Sequence, residues 1–276
     1  MRLTRICPLP YCLAILLAAS FAPAARAQSP ETMLPEQSSA KAKQLIQQTV
    51  AALGGPAFLG VRDVDCAGRL SFFGRAGEVT GYDYFRDLWK FPDKNRTEYS
   101  KKAEIIEVYN GNQAWTLDKG GVTEKPAADA EEFQEGLKRD PIGLLRTRLN
   151  EEGMTFRYGG SEIVDLKQVD WVEIVDRERR TFRLALDRAT HLPIRSEVFV
   201  RNVETRERTE LVKYYSNYQV QQGVQTPFQE AHERDARRIY QVFYNGCAYN
   251  TGLSEDLFTR ASLEKHYAEY GKKKKK

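Results

Sequence analysis

The chain has 276 residues, with 42 lysines and arginines against 38 aspartates and glutamates. Arg2, Arg5 and Arg26 and the run Lys272 to Lys276 lie in two terminal segments; without them 34 basic residues face 38 acidic ones, and the body of the chain is mildly acidic. That balance argues against a nucleic-acid-binding core, which needs a clustered basic face, and past the first segment no stretch reaches the roughly 18 uninterrupted apolar residues of a membrane helix.

Residues 1–27 read as a secretory signal peptide. A basic start (Arg2, Arg5) precedes the apolar stretch Cys12 to Phe21, too short for an ordinary membrane span, and Ala25-Arg-Ala27 supplies the small-residue pattern that signal peptidase reads. Cleavage is therefore expected between Ala27 and Gln28, with a soluble periplasmic product. Neither Cys7 nor Cys12 follows a lipobox-like context, so no lipid anchor is expected. Cys66 and Cys247 survive cleavage; in an oxidising compartment they can be bridged, or remain two buried free thiols.

The mature chain opens on a helix. Ser38 and Ser39 are candidate caps, Leu45, Ile46, Thr49, Val50 and Leu53 share a face, and Gly54-Gly55 marks the end. From Val61 short runs rich in Val, Ile, Tyr, Phe and Trp follow, predicting strands near 61–73, 78–90, 94–100, 104–110 and 113–118. Asn110-Gly-Asn112 predicts a tight hairpin between the last two. Residues 127–150 change rhythm: Phe133 and Leu137, then Leu145 and Leu149, are four apart, and Pro141 suits a first helical turn. Two short helices are expected there. Strands resume near 154–165, 168–175, 181–187, 193–200, 208–219, 226–234 and 237–248. No Pro/Ser-rich linker divides the blocks, so 28–260 reads as one mainly β domain with a few helices, and 261–276 as a short helical or disordered basic tail. The lysine run is a solvated tail by composition; beside anionic headgroups each lysine would contribute about 1 kcal/mol.

Catalytic motifs are missing. There is no Gly-x-Ser-x-Gly elbow, P-loop or dinucleotide fingerprint, and His191, His232 and His266 have no His or Cys partner at metal-ligand spacing. His191, in Asp187-Arg-Ala-Thr-His-Leu-Pro193, reads as part of a hairpin turn. No catalytic residue, metal or cofactor is expected. Asn95-Arg-Thr97 fits a glycosylation sequon. Aromatic residues load the strands, and a strongly curved sheet covered by helices would leave part of that apolar face as a cavity suited to acyl chains.

Several stretches carry a resemblance: Ala51-Ala-Leu-Gly-Gly55 with Leu59, Val61 and Gly68; Phe91-Pro-Asp-Lys-Asn-Arg-Thr-Glu98; Tyr109-Asn-Gly-Asn-Gln-Ala-Trp115; Leu186-Asp-Arg-Ala-Thr-His-Leu-Pro193; Tyr214-Tyr-Ser-Asn-Tyr218 with Gly223-Val-Gln-Thr-Pro227; and Leu257-Phe258. In these the chain resembles the outer-membrane lipoprotein-sorting (LolA/LolB-like) proteins of Gram-negative bacteria. Each stretch is a turn or strand signature. The resemblance implies a half-open antiparallel barrel closed by helices over an apolar cavity, with lipoprotein acyl chains or other lipids as cargo. On that reading Phe133, Leu137, Leu144, Leu145 and Leu149 supply a lid, and Trp89, Trp115, Trp171, Phe182, Leu184 and Leu186 the inner wall. Two alternatives compete with the carrier: an envelope assembly or sensor domain that docks a protein partner on the same fold, and a hydrolase of unfamiliar type.

The signal-peptide reading predicts that the intact mass of the exported protein is that of a chain beginning at Gln28. A mass that retains residues 1–27 would instead mean an uncleaved membrane anchor.

Overall fold

The structure, a computed structural model, describes residues 33–201 and 207–274. The expected signal peptide, 1–27, and the last two lysines, Lys275 and Lys276, lie outside these residues. Among the described residues no helix is long and apolar enough to cross a membrane.

Helix α1 (Pro35–Leu53) begins earlier than its serines suggested, with Gln37 Oε1 accepting the Leu34 N–H at 3.3 Å. Ser38 is not a cap: its Oγ accepts the Tyr158 N–H at 3.0 Å and so fastens the helix to a strand. The end is a Schellman arrangement, with Gly54 N–H on Ala51 O and Gly55 N–H on Val50 O. Gly54 has φ 128°, and a Cβ there would lie 2.3 Å from Gly223 O, so glycine is required twice over. A single turn, α2 (Pro56–Leu59), then leads into the sheet.

Among the described residues, thirteen strands form one open antiparallel sheet. In chain order these are β1 (Asp63–Phe73), β2 (Val79–Lys90), β3 (Lys94–Tyr99), β4 (Ile105–Asn110), β5 (Gln113–Asp118), β6 (Gly121–Glu124), β7 (Thr155–Val164), β8 (Lys167–Val175), β9 (Thr181–Asp187), β10 (Pro193–Arg201), β11 (Arg208–Gln221), β12 (Val224–Arg234) and β13 (Arg237–Tyr249). The strand β6 escapes sequence patterning because Val122 is its only apolar side chain. The expected hairpin forms at Gly111–Asn112, with Gly111 at φ 60°. His191, at φ 58°, sits in the β9–β10 turn, where the Asp187 carboxylate accepts the N–H groups of Ala189 and Thr190.

Strand order is β6-β5-β4-β3-β2-β1-β13-β12-β11-β10-β9-β8-β7. Local hairpins spread from β1 to one edge, the chain crosses to the opposite edge, and local hairpins bring it back until β13 lies beside β1. The crossing segment holds α3 (Ala127–Lys138) and α4 (Pro141–Gly143), the latter continuing as a π-type turn over Leu144–Arg148. Cys66 and Cys247 stand opposite each other in the β1–β13 register and are joined by a disulfide, with Cα atoms 4.1 Å apart.

Both faces of the sheet are partly covered. Helix α1 packs on β7 and β8 and closes the main core with Val172, Ile174, Phe182, Leu184 and Leu186. On the opposite face Leu88, Ile106, Val108, Trp115 and Leu117 pack against Phe258 and Leu263. Leu263 belongs to α5 (Arg260–Lys274), so the segment beyond residue 260 begins as a docked helix. Arg96 holds that docking, donating to Leu257 O and Ser262 Oγ, both at 3.2 Å, while pairing with Glu98 at 2.7 Å.

The disulfide spans a sequence separation of 181 residues and crosses the one strand pair, among the described residues, that no hairpin makes local. Replacing both cysteines by alanine is expected to lower unfolding free energy by about 2–5 kcal/mol, read from the denaturant midpoint. A midpoint unchanged in the variant and in reducing buffer would show that the bridge adds no stability.

Candidate functional site

The concave face of the central strands encloses a cavity of about 830 Å³. Strand alternation selects its wall. On β1 the even positions Val64, Cys66, Leu70 and Phe72 point in, and between them Gly68 has no room for a side chain, since a Cβ there would lie 2.3 Å from Phe243 O. On β13, Tyr240, Val242 and Tyr244 point in, then Cys247 and Tyr249. The change of parity is a β-bulge: Tyr244 faces Gly68 and Gly246 faces Ala67, leaving Asn245 as the extra residue. Phe85, Asp87 and Trp89 of β2, Thr97 and Tyr99 of β3, Lys213, Tyr215 and Tyr218 of β11, and Val224 to Pro227, Glu230 and His232 of β12 complete the wall.

The roof is the crossing segment. Phe133 of α3 stacks on Tyr109 (4.4 Å between centroids) and on Trp89 (5.8 Å), and Trp89 in turn stacks on Phe91 (6.3 Å). Offset aromatic pairs of this kind contribute roughly 0.5–1.5 kcal/mol each beyond the area they bury. The other side of the roof is held by charge. Buried Asp176, in the β8–β9 turn, accepts from Arg180 Nη1 at 3.0 Å and from Arg148 Nη2 at 3.1 Å, and Arg180 also reaches Glu135 of α3 at 3.1 Å. The segment thus ties β2 and β4 to the β8–β9 hairpin, bridging the two arms of the open sheet. Burial pushes the Asp176 carboxyl up, but the hydrogen bonds from Arg180 and Arg148 outweigh it and hold the group below its ordinary range.

Among the aromatic and aliphatic side chains of this cavity lies a belt of polar ones. Asp87 accepts from Asn95 Nδ2 (2.7 Å), Thr97 Oγ1 (2.8 Å) and Trp89 Nε1 (2.5 Å). Burial nevertheless raises its pKa, against the pull of those three donors, and nearby Glu230 adds to the rise. His232 stacks on Tyr240 (4.1 Å) with Nε2 3.1 Å from Glu230; burial lowers its pKa. Asn95, the residue of the sequon, is 4 % exposed and committed to Asp87, a position no glycan could share.

Of the expected wall residues, Trp89 alone lines the cavity. Phe182, Leu184 and Leu186 do face the concave side, but α1 covers them and they are core. Trp171 stands opposite Ala185, not Leu184, in the β8–β9 register; it therefore lies on the other face, with Arg183 4.4 Å from its ring. Trp115 likewise packs beneath α5 on the other face. Of the expected lid residues, Phe133 and Leu137 line the cavity, Leu144 and Leu145 are fully buried beneath it, and Leu149 packs at the core's edge. Both bridged cysteines lie in the wall. The tyrosines of β13, Asp87 and Arg146 carry no sequence motif, and those of β11 only a strand signature; strand register assigns the sheet residues to the cavity face, and the turn over Leu144–Arg148 places Arg146.

No protein-family model matches the chain, and no curated protein matches it. Solved structures do. A DUF1329 family protein from Desulfovibrio piger superposes with a TM-score of 0.55 at 16% identity, over 80% of this chain and 98% of that one. A domain assigned to outer-membrane lipoprotein sorting, from Vibrio parahaemolyticus, superposes with a TM-score of 0.54 at 13% identity, over 82% of this chain and 99% of the other. A LolA superfamily protein from Nitrosomonas europaea is similar at a TM-score of 0.49 and 13% identity, over 80% and 99%. The chain shares the fold of the DUF1329 family protein and of the lipoprotein-sorting domain.

The ion pairs at Asp176 predict a roof that loosens in acid. Because the carboxyl titrates lower in the folded protein than in the unfolded chain, its contribution is complete above about pH 4 and is lost as pH falls below that. Asp176→Ala is expected to cost about 1–3 kcal/mol at neutral pH and to speed amide exchange over 141–148 more than in β1 and β13. Equal exchange in both regions would mean that the pairs do not hold the roof.

Proposed function

We propose that the protein is an exported, non-enzymatic carrier of the bacterial cell envelope that holds acyl chains between the curved sheet and the crossing segment. The observation that carries this reading is the roofed cavity of about 830 Å³ in a LolA-like fold, which is within the usual range for a small-molecule site. Each methylene moved from water into such a wall contributes roughly 0.8 kcal/mol, so affinity grows with the length of chain buried and needs no covalent step. Lipoprotein acyl chains and other lipids are the cargo class.

Release follows from how the roof is fastened. The aromatic stack at Phe133 and the charged contacts at Asp176 are separate fastenings, and freeing either one lets the crossing segment swing while the other acts as hinge. A partner with a better apolar cavity, or a membrane, then receives the chain.

Mass spectrometry of the organic extract of the protein, purified from an envelope fraction without detergent, tests the proposal. Near-stoichiometric phospholipid or acylated peptide is the expected result. A clean extract, together with no uptake of added fluorescent fatty acid, would reject it in favour of an envelope assembly or sensor domain that docks a protein.

A further inference from the structure

The π-type turn in the roof carries a cation that the described residues leave without a counter-ion. Arg146 lines the cavity, and its guanidinium lies 5.0 Å from the ring of Phe58 and 4.8 Å from that of Phe91. Its Nε is buried and has no hydrogen-bond acceptor. Neighbouring cations are all paired: Arg139 with Glu132 and Glu135, Arg148 with Glu151 and Asp176. The acid whose charge acts on Arg146 is Asp140, and it is committed elsewhere, accepting the Gly143 N–H at 2.7 Å and lying 3.6 Å from Lys213.

Burying a cation without an anion is costly, and ring faces recover only part of that cost. The backbone supports a dedicated role. A π-type turn is rare and concentrates at functional positions; this one sends Leu144 and Leu145 into the core and leaves Arg146 beside the cavity. The position is the inner end: Phe58 beside the guanidinium is buried, and so is Tyr249, which acts on Arg146 electrostatically and pairs with Val64 of β1. From Val64 at that end, β1 runs eight residues to Phe72, about 26 Å at strand rise, and Phe72 is 39 % exposed.

We propose that Arg146 is an anion-binding residue at the inner end of the cavity that receives the carboxylate of a free fatty acid, whose chain lies along β1 toward Phe72. The inference rests on the acyl-carrier reading and narrows it. A planar carboxylate suits the guanidinium fork, and the cation gains the counter-ion it lacks. A chain already esterified to a glycerol or linked to a peptide offers no such acid and forgoes the contact, so the site selects free acids over lipoprotein-borne chains.

Binding of dodecanoate, methyl dodecanoate and dodecyl phosphate to the exported full-length protein, followed by Trp89 fluorescence or calorimetry, tests this. The wild-type protein is expected to bind the acid at least about tenfold more tightly than its methyl ester, the gain of one charge-assisted contact. Arg146→Met, or Arg146→Gln if that variant does not fold, is expected to bring acid and ester within about twofold while ester affinity stays unchanged. Equal binding of acid and ester by the wild type, or a preference that survives both substitutions, overturns the anion site and leaves the acyl-carrier reading standing. Tighter binding of dodecyl phosphate than of dodecanoate overturns the carboxylate assignment. Failure to bind any of the three overturns the carrier reading itself.

Discussion

Pairing between the first and last strands governs this molecule. With β13 fixed beside β1, the hairpins before and after must grow outward in opposite directions, and the chain must pass from one free edge of the sheet to the other. That passage is made by α3 and α4, and it is what roofs the cavity. The roof is therefore a consequence of strand order. The disulfide at Cys66 and Cys247 sits on the same pair, so the covalent link reinforces the contact on which the topology turns.

The cavity wall combines two requirements that pull against each other. Aromatic rings offer apolar contact, yet Asp87, Glu230 and His232 lie among them. Asp87 is tolerated because Asn95, Thr97 and Trp89 all donate to it, and His232 because Glu230 and the Tyr240 ring flank it. These groups are matched inside the protein. Arg146 differs in kind, since rings flank its guanidinium and no described acid forms an ion pair with it.

Strand positions were legible in the sequence because alternation and turn chemistry are local, as Gly111 and the Asp187–Pro193 turn illustrate. The face each strand presents was not, because it depends on register. Trp171 and Phe182 look alike as aromatic strand residues, yet pairing Trp171 with Ala185 puts them on opposite faces. Trp89 and Trp115 are separated the same way, through the Trp89–Asn95 and Arg96–Val108–Trp115 pairings. On β13 even a correct face would fail midway, since the bulge at Asn245 inverts the parity. The helical spacing of Leu145 and Leu149 located the roof, but the π-type turn decided which side chain meets the cavity.

Strand order also sets when the molecule can finish folding. Val64 pairs with Tyr249, so β1 waits for its neighbour on one side until nearly the whole chain has been made. Synthesis proceeds from the N-terminus, and until β13 emerges both β1 and the growing β7–β12 block carry an unpaired edge with open hydrogen-bonding groups. Contacts this distant in sequence form late and leave such edges open to pairing with other chains. Until the central seam closes, each half-sheet offers an extended edge of the kind that a holding chaperone grips.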